Sequence, residues 1–136
     1  MFGQRGSIAV QVGLLATVLI GFAGLGTEVT LLLLRQRQLQ SAADAAALSA
    51  AMIPSGYRTE ALAIAAEAGF RNGITGTSVT INSPPATGDH RGDAGAVEVI
   101  ISQPQKVAML GLFVADELEI SARAVALGGQ SVRLAE

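Results

Sequence analysis

The chain has 136 residues and no cysteine, so disulfides and thiolate metal sites are excluded. Freedom from cysteine suits an oxidising compartment without proving one. Tryptophan is also missing, and lysine and histidine occur once each, as Lys106 and His90. The remaining basic residues are arginines scattered along a chain of formal charge −2. A nucleic-acid binder concentrates its positive charge and offers stacking platforms. Neither is present, and nucleic acid is set aside as a partner. The sequence contains no GxSxG, HExxH, Walker or dinucleotide-binding motif. With one histidine, no nucleophile relay suggests itself, and the expectation is a non-enzymatic protein with no cofactor and no small-molecule substrate.

What the chain does have is a long apolar run. From Ser7 to Leu34 the only formal charge is Glu28. A bilayer core about 30 Å thick needs roughly 20 apolar helical residues, so this run is long enough to span. A cleaved secretory signal has an apolar core of about 7–15 residues with a small-residue cleavage site behind it. This run is longer, and the next small-residue cluster, Ser41–Ala51, reads as helix. Arg5 and the terminal amine on one side nearly balance Arg35 and Arg37 on the other. The basic-residue rule therefore leaves the orientation open.

On a helical wheel Ala9, Gly13, Thr17, Gly21, Gly24 and Glu28 share about a third of the circumference. Small residues spaced by four let helix backbones approach in lipid, and a carboxylate in a span normally faces a partner or water. This predicts a face that docks on another membrane helix, with Glu28 seeking a donor there. Glu28 near the headgroups, within reach of Arg35, is the other placement.

The helix is expected to run on. Arg35–Met52 has neither glycine nor proline and is rich in alanine, the best helix former. Pro54, Ser55 and Gly56 end it. One helix of about 45 residues, near 70 Å at 1.5 Å per residue, results. Leu39, Ala43, Ala46, Ala50 and Ile53 form a stripe that calls for a tightly apposed neighbour, with Gln40 and Asp44 beside it. The docking set is therefore Gly13, Gly21, Gly24, Glu28, Leu39 and Asp44.

A small module follows. Thr59 is expected to cap a helix over Glu60–Phe70, with Leu62, Ala66 and Phe70 inward. Asn72, Gly73 and Gly76 mark a turn. Alternation predicts strands over Ser78–Asn82, over Ala96–Ser102 with Glu98 outward, and over Glu117–Leu127 with Leu118, Ile120, Ala122, Ala124 and Ala126 on one face. A short apolar helix around Val107–Phe113 joins the last two. The fold class is α+β: a long N-terminal transmembrane helix continuing into a module of one or two short helices on a short antiparallel sheet. The division is 1–53 for the membrane-spanning helix with its extension and 57–136 for the small α+β module outside the bilayer, extracytoplasmic on the resemblance given below. Asp89, His90 and Asp93 lie in the Gly-rich loop Ser83–Gly95 and read as a solvated hairpin loop, since a metal site wants more ligands on rigid supports. The Arg91-Gly92-Asp93 tripeptide in the same loop arises easily by chance.

Three features at matching spacing carry a resemblance. Arg5-Gly6 precedes the apolar run, in RGSIAV. Gly21–Val29 sits late in the span with Glu28 near its end. After Arg35-Gln36-Arg37 comes LQSAADAAAL, Leu39 to Leu48. The chain resembles the TadG-like family of the tight-adherence (Tad/Flp) pilus system, with VEVIISQP (Val97–Pro104) and SARAVAL (Ser121–Leu127) similar to that family's β-rich region. The resemblance implies a bacterial inner-membrane protein, N-terminus cytoplasmic and module periplasmic. Its partners would be other pilus-assembly membrane proteins or pilins. Many such proteins continue into a von Willebrand A-type domain with a DxSxS motif, absent from these residues. Minor pilins of the system are cut after a glycine with glutamate five residues on; here Gly6, Ser7 and Gln11 hold the corresponding places. The expectation is an uncut, membrane-resident accessory protein. The alternatives are a minor pilin cleaved after Gly6 and incorporated in the fibre, and a membrane-tethered ligand-binding module.

Overall fold

The computed structural model describes residues 3–114 and 116–128, with side chains from residue 6 onward. The side chain of Arg5, one of the flanking charges, and the end of the 57–136 module thus lie outside the described residues. Helix α1, Gly3–Ala51, is uninterrupted over 49 residues, as the lack of a breaker before Pro54 leads one to expect. Its threonines do not disturb it. Thr17, Thr27 and Thr30 each donate a hydroxyl to the carbonyl four residues back, at 2.8–2.9 Å, so none of these threonine hydroxyls needs water as its acceptor.

The two ends of α1 live in different surroundings. From Ile8 to Leu34 most of its large apolar side chains are exposed, Ile20 and Phe22 by more than two thirds, while Leu25 and Leu32 are half-buried. From Leu39 onward one stripe is fully covered: Leu39, Ala42, Ala43, Ala46, Ala47 and Ala50. The neighbour that this alanine stripe requires is the chain's own module.

Strands β1 (Ser78–Asn82), β2 (Ala96–Lys106) and β3 (Glu117–Leu127) form an antiparallel meander in that order. Val79 and Ile81 oppose Ile101 and Val99, which in turn oppose Ala122 and Ala124. The helix side of the sheet therefore grades from β-branched residues on β1 and β2 to alanine on β3. Small residues on both partners let α1 lie close against β3, and all of these side chains join one core. Two glutamines on successive turns of α1 fasten it there. Gln36 Nε2 donates to the Ser121 carbonyl at 2.7 Å and Gln40 Nε2 to the Arg123 carbonyl at 3.1 Å. They occupy acceptors along an edge strand that would otherwise invite pairing.

Helix α2, Tyr57–Glu67, starts three residues earlier than expected. Gly56 precedes it and no side chain caps it, so Thr59 lies within the helix. It also ends earlier, at Glu67, and its inward face is shifted: Ala61 and Ala65 are buried, Ala66 is half-buried and Leu62 is exposed, while Phe70, beyond the helix end, is buried as expected. The earlier start moves the register, and the Ser49 hydroxyl fixes it by donating to Glu60 at 2.8 Å. The connection from β2 to β3 contains a single 3-10 turn, Leu110–Leu112, within the stretch expected to be a short helix.

Candidate functional site

Two clusters of polar contacts organise the molecule. The first centres on Glu28. Its carboxylate accepts the backbone N–H groups of Ala108, Met109 and Leu110, the last two at 3.2 and 2.7 Å. The donors come from the β2–β3 loop, some eighty residues away in sequence. Beside this contact, the Met109 side chain lies on Gly24: a Cβ built there would fall 2.6 Å from the Met109 methyl. Arg35 donates to Gln38 at 2.9 Å and forms no ion pair with Glu28, because the loop amides already occupy the carboxylate.

The residues expected to dock are therefore distributed as follows. Gly13 and Gly21 are open, with nothing within 4 Å of a Cβ placed on either. Gly24 and Glu28 are covered by the chain's own β2–β3 loop. Leu39 is in the core, and Asp44 accepts from Gln40 Nε2 at 2.8 Å. Gly6, Ser7 and Gln11 lie in the first turns of α1, and all three residues are exposed. Sequence reasoning missed the loop as the partner of Glu28. The available signal was the run Ala108–Val114, too apolar for an ordinary surface connection.

The second cluster centres on Glu98, and here the outward placement is overturned. Its side chain is completely buried. Asn82 Nδ2 and the Ala86 N–H donate to one oxygen at 2.8 and 3.1 Å; Thr87 Oγ1 and Arg123 Nε donate to the other at 3.2 and 2.5 Å. Arg123 Nη2 also donates to the Thr87 carbonyl at 2.6 Å. Glu98 alternates correctly away from the helix, but the 83–95 loop folds back over that face and buries it. Burial pushes the carboxyl pKa up, yet the donors from Asn82, Ala86, Arg123 and Thr87 outweigh it and hold the pKa at about 2. Gly88 passes so close to the Arg123 guanidinium, with φ +79°, that glycine is needed both for the backbone and for the space.

The 83–95 loop is thus pinned at its first half. Its second half carries Asp89, His90 and Asp93 into solvent. Among the described residues no cluster of three or more histidine, aspartate or glutamate side chains is placed to hold a metal ion.

These features define a class: an α+β module built around the end of one long helix. Among the described residues that helix alone is long and apolar enough to cross a membrane. Residues 6–52 match the family described as "Putative Flp pilus-assembly TadE/G-like". Over that segment the chain is similar to the TadE/G-like family, as the Leu39–Leu48 motif led one to expect. The match covers α1 and ends with it, so it speaks for the helix rather than for the sheet. It supports a role in pilus assembly, alongside pilus or membrane components, a kind of component that is generally non-enzymatic. No curated protein and no solved structure matches the chain.

Proposed function

We propose that this chain is a non-enzymatic structural accessory component of a Tad/Flp-type pilus assembly machine. Residues 1–53 anchor it in the bacterial inner membrane, with the N-terminus cytoplasmic and the 57–136 module in the periplasm. The observation that carries the reading is the division of one helix between two solvents. The part from Ile8 to Leu34 leaves most of its large apolar residues exposed, whereas the stripe from Leu39 to Ala50 is sealed into the module. An exposed apolar face of that length is stable against lipid or another membrane helix, not against water.

Docking on partner helices uses the open small-residue face at Gly13, Thr17 and Gly21, where a second backbone can come close. The test is cross-linking pull-down of the tagged full chain from native membranes, with its N-terminal mass read in the same sample. Pilus-assembly membrane proteins or pilins recovered with an uncut chain are the expected result. A chain beginning at Ser7, recovered with sheared fibres, identifies a minor pilin and overturns the accessory reading.

A further inference from the structure

We propose that the β2–β3 loop is a second membrane contact, its tip Leu112-Phe113-Val114 entering lipid beside α1 on the module's side of the bilayer. The inference rests on the reading of α1 as a membrane span and adds an element that the span itself does not imply.

The first observation is depth. Glu28 binds the amides of Ala108, Met109 and Leu110, and Met109 rests on Gly24. Both helix positions lie inside the apolar run, which continues to Leu34. Glu28 is six residues short of that end, about 9 Å along the axis at 1.5 Å per residue. The loop is therefore tied to the helix within the apolar region, not above it.

The second observation is composition. Leu112, Phe113 and Val114 are three consecutive large apolar residues, exposed by 76, 77 and 71%. Scattered exposed apolar residues are ordinary, but a contiguous tip of this kind marks an interaction surface. The helix to which this loop is tied at Gly24 and Glu28 exposes a long apolar surface of its own, which supplies the occupant: the lipid that surrounds the helix.

The third is backbone chemistry. A chain entering lipid must satisfy its own amides. Glu28 accepts those of residues 108–110, and those of Leu112, Phe113 and Val114 bond to the carbonyls of Met109 and Leu110 at 2.9–3.3 Å. Glu28, costly in a span without donors, thereby acquires three. A groove of about 690 Å³ between helix and loop is lined by Leu31, Leu34 and Met109 together with Arg35 and Lys106. Basic residues bordering an apolar element suit headgroup depth.

The absence of cysteine makes the test clean. Single-cysteine chains Phe113→Cys, Val18→Cys and His90→Cys are labelled with a polarity-sensitive fluorophore. Each full-length protein is then reconstituted in vesicles of zwitterionic and anionic phospholipid in equal parts, with spin-labelled lipid as quencher. The expected result is quenching at 18 by deep labels, quenching with a blue shift at 113 by shallow labels, and neither at 90. Adding Glu28→Ala should abolish the response at 113 while leaving that at 18. Quenching at 18 with position 113 behaving like 90 overturns the loop's insertion and leaves the anchor standing. No quenching at 18 overturns the anchor itself and the inference with it. Position 113 shielded in native membranes but open in protein-free vesicles means a protein covers the tip, which also overturns it.

Discussion

Met109 fills the volume that a side chain on Gly24 would need, its methyl 2.6 Å from where a Cβ would stand. The methyl is the far end of a flexible side chain, so Gly24→Ala should be absorbed by a rotation of Met109. Gly24→Leu is too large for that and should lift the β2–β3 loop off the helix. Faster tryptic cleavage after Lys106 in the leucine variant, with the alanine variant unchanged, is the expected pattern.

Removal of the Glu28 carboxylate should release the same loop from the other side. Glu28→Ala takes the acceptor from three backbone amides at once, whereas Glu28→Gln retains one neutral acceptor oxygen and should be intermediate. Hydrogen exchange at Ala108, Met109 and Leu110 in the reconstituted protein should rise in that order: native, Gln, Ala. Equal protection in all three would mean that the carboxylate does not hold the loop.

Glu98 makes a stability prediction with a definite pH sign. Its folded carboxyl, held at about 2 against an ordinary 4.5, favours the folded chain whenever it is ionised. The contribution is complete above about pH 4.5 and is lost as the pH falls toward about 2. Thermal unfolding followed through that interval should show a fall in Tm that Glu98→Gln lacks. At neutral pH, Glu98→Ala should cost about 1–3 kcal/mol, moderated because Arg123 is part-exposed and screened. It should also free the 83–95 loop to cleavage at Arg91.

The open face of α1 makes the prediction that bears on assembly. Gly13→Leu and Gly21→Leu meet nothing in this chain and should leave the module's unfolding curve unchanged. Recovery of membrane partners should fall by about tenfold, or roughly 1.4 kcal/mol. Undiminished recovery with both substitutions present would remove this face from the docking account.

The sequence was most readable where one local rule acts alone. The absence of glycine and proline across Arg35–Met52 marks the helix, and alternation marks β1 and β3 at their observed limits. The end of β2 was less readable because Pro104 argues against a strand. Pairing with β1 stops at Ser102, however. Beyond it one side of β2 has no paired strand, and a residue without an N–H is tolerated at such an edge. The two polar clusters were harder to see. The partners of Glu98 come from Asn82, Ala86, Thr87 and Arg123, which only the sheet register and the folded-back loop bring together. Glu28 calls for donors by its cost, but nothing local says that residues eighty positions later supply them.

The absence of any linker between the apolar and the sealed parts of α1 has a mechanical consequence. A module on a flexible tether can turn and search while its anchor stays still. Here Leu39 and Ala50 are rigid with Gly24 because one unbroken ladder of backbone bonds joins them. Any lean of the helix is a lean of the whole module, magnified by a lever roughly 70 Å long at 1.5 Å per residue. A pull on the sheet arrives at the apolar end without loss to a hinge, as does a twist applied at that end to the sheet.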